Sequence, residues 1–442
     1  MTGTNESVPG MSEANAPQKN PYSEARAKSP LPSGRRTAPD PARPPLPSEL
    51  IEQGGKKPKR TPRQSESRVE QAASVLYVDD RRQNRRRTLA CVALLVVVTL
   101  VYLCQSTAEG TLFNNPLDVV TIAPLYAAMR LGSVFGLVSA EQWAQAVHSN
   151  AQFLQIGGQV CGAFITLICG GLLAAAGTLY QNAFRNPIAG PSMLGVSNGV
   201  QLGVILLVMQ FGVSAASMTG LYYLYTYIGA IIVLLVVLGC GKLISGKNEF
   251  NVVNMLLVAS MISQCCAFIT TFLSTYVISA EEWEAYYSIT EMTTLNTETI
   301  SFICLIVAAI IGLLPVYLVR FRMNMISFTD AEARLSGVDP SRMRLVALVC
   351  GSIMVIAAQV HCGLITMISL VVPHLSRAIF GADFRKQFWG NIVLGMLVLM
   401  VCRLIAGFIP FVGEGMPIGT VASFVTLPLF VWMLARQQRS WD

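Results

Sequence analysis

The chain has 442 residues, 53% hydrophobic and 13% charged, with a net charge of +7 and a mean hydropathy of +0.52. Soluble domains carry about 25% charged residues, so the composition excludes an ordinary soluble domain and points to a polytopic membrane protein; no nucleic-acid partner is expected. The 11 cysteines all fall in apolar segments without metal-ligand spacing and read as small packing residues.

Residues 1–87 are a different material. The first 80 hold 12 of the 22 prolines and almost no aliphatic run, too little apolar surface to offset chain entropy. A disordered cytoplasmic tail is expected, locally polyproline-like over Pro41–Pro47. Lys56, Lys57, Lys59 and Arg60, with Arg81, Arg82, Arg85, Arg86 and Arg87, form basic clusters that suit anionic lipid head groups. The first apolar segment starts far too deep in the chain for a signal peptide and is read as a retained span.

A bilayer core takes about 20 apolar residues per helix. Ten segments meet or approach that length: Thr88–Ala108, Val160–Tyr180, Met193–Phe211, Leu221–Cys240, Val252–Leu273, Ile300–Val319, Leu345–Val360, Gly363–Phe380, Asn391–Ile409 and Ile418–Leu434. Loops on one side carry Arg185, Lys242, Lys247, Arg320, Arg322, Arg334, Arg342, Arg344, Arg377, Arg385 and Lys386. The opposite loops carry Glu109, Asp118, Glu141, Glu281, Glu282, Glu284, Glu291, Glu298 and Glu414 against Arg130 alone. The excess of Lys and Arg places the first set in the cytoplasm, and with both termini basic the span number is even. Val119–Val138, broken by Pro124 and Arg130, is therefore expected at the outer interface or re-entering from that face.

Few residues offer chemistry. Gly239–Lys242 lacks the spacing of a phosphate-binding loop. His148, His361 and His374 sit apart and read as structural. Ion-coupled carriers need ionisable groups inside the membrane, and Arg403, near the outer end of its span, is the exception in an otherwise bare set. It reads as snorkelling or paired with Glu414, or as part of an external docking site. A pathway would be polar but neutral, drawn from Gln181, Asn182, Asn186, Ser197, Asn198, Gln201, Gln264 and Gln359. Gly158 and Gly162 would allow close helix contact.

Two stretches stand out. Ala174–Gly203 (AAAGTLYQNAFRNPIAGPSMLGVSNGVQLG) breaks two apolar runs with Arg185, Asn186, Pro187, Gly190 and Pro191, a tight turn into a cavity-lining helix. Arg320–Arg344 reads as two short helices, the first holding Asp330, Glu332 and Arg334 and stopped by Gly337, the second capped by Asp339 with Pro340 first.

Four blocks resemble the permease subunits of ATP-binding-cassette importers for iron-siderophore complexes, haem and cobalamin: Gln181–Gly199, Met323–Arg344, Gly363–Lys386 and Met416–Leu434. The resemblance implies an all-α fold of ten spans with both termini cytoplasmic in a bacterial plasma membrane. It further implies a second permease, cytoplasmic ATPases that use the ATP, an extracytoplasmic binding protein, and no cofactor bound by this non-catalytic subunit. Carried over residue by residue, Asp330, Glu332, Ala333, Arg334 and Gly337 would contact the ATPase. Ser197, Asn198 and Gly199 would lie near the gate, with Thr366 and Ser369 altering the lining. The family's Arg-Leu-Pro-Arg block is replaced here by Gly157–Val160, and the outer surface is acidic at Glu281, Glu282 and Glu284. External docking would then use these acids and Arg403, or arginines of a non-identical second permease, which favours a heterodimer. A ferric siderophore is the expected cargo; haem or cobalamin import, an ion-coupled secondary transporter and a membrane scaffold are the alternatives.

Overall fold

The computed structural model describes residues 62–105, 113–134, 136–149, 152–245, 252–291, 298–327, 329–381, 383–409 and 416–438. These hold fourteen α-helices and no sheet, with one isolated bridge between Gln105 and Phe113. In chain order they are α1 (Pro62–Cys104), α2 (Pro116–Val134), α3 (Ala140–Ser149), α4 (Phe153–Phe184), α5 (Val196–Phe211), α6 (Thr219–Ser245) and α7 (Val252–Tyr276). There follow α8 (Ala280–Glu291), α9 (Thr299–Met323), α10 (Asp330–Leu335), α11 (Pro340–Cys362), α12 (Met367–Phe380), α13 (Phe384–Phe408) and α14 (Ile418–Gln438).

Eight helices are long and apolar enough to cross a bilayer: the 83–104 part of α1, then α4, α5, α6, α7, α9, α11 and α13. Two shorter apolar helices, α12 and α14, bring the set to the ten expected. α12 is short because Gly363–Thr366 stays non-helical, with Gly363 at a φ of 76°. Helix is assigned from Pro62, inside the segment expected to be a tail. Helix runs on through residues 62–87 because no Gly or Pro interrupts the chain between Pro62 and Cys104, and a formed helix propagates cheaply. Residues 1–61 lie outside the described set. Arg87, of the basic cluster, is exposed and donates to the Ile379 carbonyl in the last turn of α12.

α4 is the centre, packed by α11 on one side and α13 on the other. Its apolar stretch is 78% buried, as is that of α11, against 6% for α1 at the periphery. Gly170 of α4 and Gly395 of α13 make the crossing possible, since a Cβ on either would run into the other's carbonyl. Gly158, expected at such a contact, faces open space; its neighbour Gly157 is the one that meets Tyr126.

Inside the bundle polar side chains pin helix to helix. Asn391 donates to the Ala174 carbonyl at 2.6 Å and to Thr178 Oγ1 at 2.7 Å. Tyr180 and Ser352 hydroxyls lie 2.9 Å apart, and Tyr222 donates to the Val360 carbonyl at 2.7 Å. His361 is a structural residue, its ring nitrogens 2.8 Å and 2.9 Å from the carbonyls of Ala357 and Ser301.

At 32 residues α4 is about 48 Å long by the helical rise, well beyond a core of about 30 Å. Its first turns, Phe153, Ile156 and Cys161, pack with Val119, Ile122 and Tyr126 of α2 in a separate cluster. Trp143 of α3 joins by edge contacts to Tyr126 and Phe153. α2, with Pro124 inside, is not among the candidate spans. It packs against the first turns of α4.

Candidate gate and coupling surface

At the end of the bundle that carries the basic loops, α4 stops at Phe184 and Arg185 takes a φ of 49°, the one non-glycine residue with positive φ among those described. Such a backbone is strained for any side chain but Gly. Asn186 then accepts from the Ile188 N–H at 2.9 Å in an Asx turn, and a 3-10 turn at Pro191–Leu194 leads to Gly195, at φ 67°. α5 begins directly after it.

The first residues of α5 are held on three sides. Ser197 Oγ accepts from Gln359 Nε2 of α11 at 2.7 Å. Asn198 Nδ2 donates to both the carbonyl and the hydroxyl of Ser263 in α7, each at 2.7 Å. Gly199 packs on α6, where an added Cβ would come within 2.8 Å of the Ala230 Cα. Ser197, Asn198 and Gly199 are thus one neutral junction of four helices. Thr366 and Ser369 are a separate pair: Ser369 is buried and donates to the Thr366 carbonyl at 2.6 Å. No hydrogen bond among the described residues joins the two sets. Sequence reasoning missed Ser263, which no local signal separates from other serines in spans.

The second element lies at the same end. α9 leads through a 3-10 turn at Met325–Ser327 into α10, which Thr329 and Glu332 start with a capping box. The Thr329 N–H donates to Glu332 Oε2 at 2.9 Å and the Glu332 N–H to Thr329 Oγ1 at 3.3 Å. The Thr329 hydroxyl and N–H hold the Glu332 carboxyl below its ordinary range. α10 ends at Ser336 and Gly337, the latter at φ 74°. The expected second short helix is the start of α11 itself, capped by Asp339, whose Oδ1 accepts from the Ser341 N–H at 3.0 Å and the Arg342 N–H at 3.4 Å.

Asp330 is gripped from within the subunit. Its Oδ1 lies 2.5 Å from Nη2 of both Arg185 and Arg344, and its Oδ2 3.1 Å from Nη1 of Arg344. Partial burial raises its carboxyl, but the two guanidiniums outweigh that and hold it below the usual range. Ala333 is buried, so its side chain seats α10 on its own bundle and is not offered outward. What α10 does offer is Arg334, Gly337 and Leu335, the last 88% exposed and missed by sequence reasoning. Arg334, Gly337, Val338, Asp339 and Ser341 line an open notch of about 410 Å³ beside it.

At the opposite end Glu281 and Glu284 of α8 are exposed. Glu282 closes a capping box with Ser279, whose N–H it accepts at 2.7 Å and which holds its carboxyl below the ordinary value. Arg403 does not join these acids. Its Nε donates to the Tyr102 hydroxyl at 3.3 Å and its guanidinium sits 5.9 Å from that ring, tying α13 to α1. Glu414, the other expected partner, lies outside the described residues.

The described helices, most of them long and apolar, form a multi-pass membrane bundle with a capped helix projecting at its basic end. The chain belongs to the FecCD transport family, whose model matches residues 121–436. It is 31% identical over 281 residues to the hemin transport system permease protein HmuU of Yersinia pestis, spanning 62% of this chain and 80% of that one. It is 27% identical over 273 residues to the probable iron chelatin transport system permease protein of Helicobacter pylori, spanning 62% of this chain and 79% of that one. An inward-facing structure of a metal-chelate type ABC transporter shares the fold at a TM-score of 0.61 and 18% identity, over 80% of this chain and 99% of that one.

Proposed function

We propose that the chain is the membrane subunit of an ATP-driven importer that takes up a ferric chelate delivered by an extracytoplasmic binding protein. The observation that carries this reading is α10. This capped helix, anchored on the bundle between α9 and α11 at the basic end, holds Arg334 and Leu335 out to solvent beside a notch, a form that suits docking of a soluble partner. The basic end is the cytoplasmic end, and the partner there is an ATPase, contacted by Arg334, Leu335 and Gly337. Glu332 acts through the cap that fixes α10. The subunit itself makes no bonds; ATP binding to the partner changes which of two bundle arrangements is favoured.

The cargo path is neutral. Ser260, Gln264, Thr271 and Thr275 recur at helical spacing along one exposed face of α7, interleaved with Leu257 and Phe268. A face of mixed polar and apolar residues on a span suits a partner helix or a neutral cavity better than lipid alone. We assign this face to the pathway shared with a second permease, a non-identical one by the acidic character of α8, in a bacterial inner membrane. The identity to a hemin permease favours haem as the second reading of the cargo.

The test is reconstitution of the complex in proteoliposomes, with ATP-dependent uptake measured for radioiron chelates and hemin in parallel. Uptake of a chelate but not hemin supports the first reading, and the reverse supports the second.

A further inference from the structure

We propose that Asp330 is a positioning residue, a latch that carries movement of α10 to the turn before α5. This rests on the importer reading above.

Both oxygens of the carboxylate are engaged by arginines of neighbouring elements. Arg344 holds both oxygens, and its side chain is only 4% exposed. Pulling the carboxylate away would strand a buried guanidinium, which is strongly destabilising, so α10 and the start of α11 move as one piece. The other arm differs. Arg185 is 34% exposed in its side chain, sits on strained backbone, and holds the coupling segment twice, through Asp330 and through Nε to the Ile326 carbonyl at 3.0 Å. Arg185 is also the first residue after α4, and the chain from it runs through the Asx turn and Gly195 into Ser197 and Asn198. A displacement of α10 is therefore delivered to the junction that pins α5, and no other side chain of α10 reaches that turn by an ion pair among the described residues.

The experiment uses the full chain with its ATPase in liposomes, on a background with the exposed Cys265 replaced by serine. Spin labels at Ala331→Cys and Ile188→Cys, both exposed positions, report the distance from α10 to the turn with and without ATP and vanadate. Arg185→Gln is the test variant, because it leaves the Asp330–Arg344 pair that α10 needs to fold; Arg185→Lys is its rescue. The latch predicts one label distance in both nucleotide states for the native chain and for Arg185→Lys. For Arg185→Gln it predicts a distance that shifts or broadens on adding ATP, with ATPase capture undiminished. An Arg185→Gln profile matching the native one in both states overturns the latch, as does loss of ATPase capture by this variant. A native chain that captures no ATPase overturns the importer reading, and the latch with it.

Discussion

Asn198 and Ser263 are joined by two contacts from one amide nitrogen, each 2.7 Å, so the first turn of α5 is fixed to the middle of α7. Hydrogen bonds between membrane helices are worth about 0.6 kcal/mol on average, and Asn198→Ala is expected to cost about 1 kcal/mol of stability. Its effect on transport is larger, because the junction it loosens stands at the candidate gate. Melting of the purified subunit and uptake by the complex check the two parts separately. A loss of stability with uptake unchanged assigns Asn198 to packing alone.

Leu335→Asp leaves the isolated subunit as stable as the native chain, since the side chain is 88% exposed. Burying a leucine is worth about 2 kcal/mol, so ATPase affinity falls by about thirtyfold. Co-purification at graded ATPase concentrations reads this directly.

Gly170→Leu and Gly158→Leu differ sharply although they lie in one helix. The first forces a side chain into the Gly395 backbone and costs about 3 kcal/mol or more; the second enters open space and is neutral. Yield and melting temperature in detergent compare them.

Much of this was legible because it is local. Apolar run lengths give the ten spans, and Thr329 with Glu332, Asp339 with Pro340, and Gly337 announce the ends of α10 and the start of α11. The functional use of the same residues was not legible. Asp330 meets Arg185 across 145 positions and Arg403 meets Tyr102 across 301, so no window of sequence contains either pair. The helix over residues 62–87 was hidden by its composition, which resembles a disordered tail although nothing in it breaks a helix. Ala333 and Leu335 are both apolar residues of one short helix, and only the packing shows that the first is buried and the second is not.

The depressed carboxyl of Asp330 sets a pH dependence. A group whose folded-state pKa is lowered adds stability that is fully present above its unfolded value, about 4 for a carboxylate, and is lost as pH falls through the folded value. Order in α10 is thus unchanged from neutral pH down to about 5 and fails below about 4. Limited proteolysis of the Thr329–Asp339 segment at graded pH follows it. The exposed Glu332 contributes little, so Glu332→Gln leaves the profile nearly in place.

Glu281→Lys with Glu284→Lys reverses the charge of the exposed face of α8, whereas Arg403→Ala removes a contact to α1. Binding-protein affinity changes severalfold with the first pair, and does so more at low ionic strength. Arg403→Ala leaves that affinity alone and lowers the melting temperature.

The most direct test of the central claim is uptake of a radioiron chelate by the complex reconstituted with its ATPase and binding protein, under ATP depletion and, separately, with ion gradients collapsed. The importer reading predicts uptake that requires ATP, survives loss of the gradients and fails with Leu335→Asp. Uptake that persists without ATP and vanishes with the gradients would contradict it.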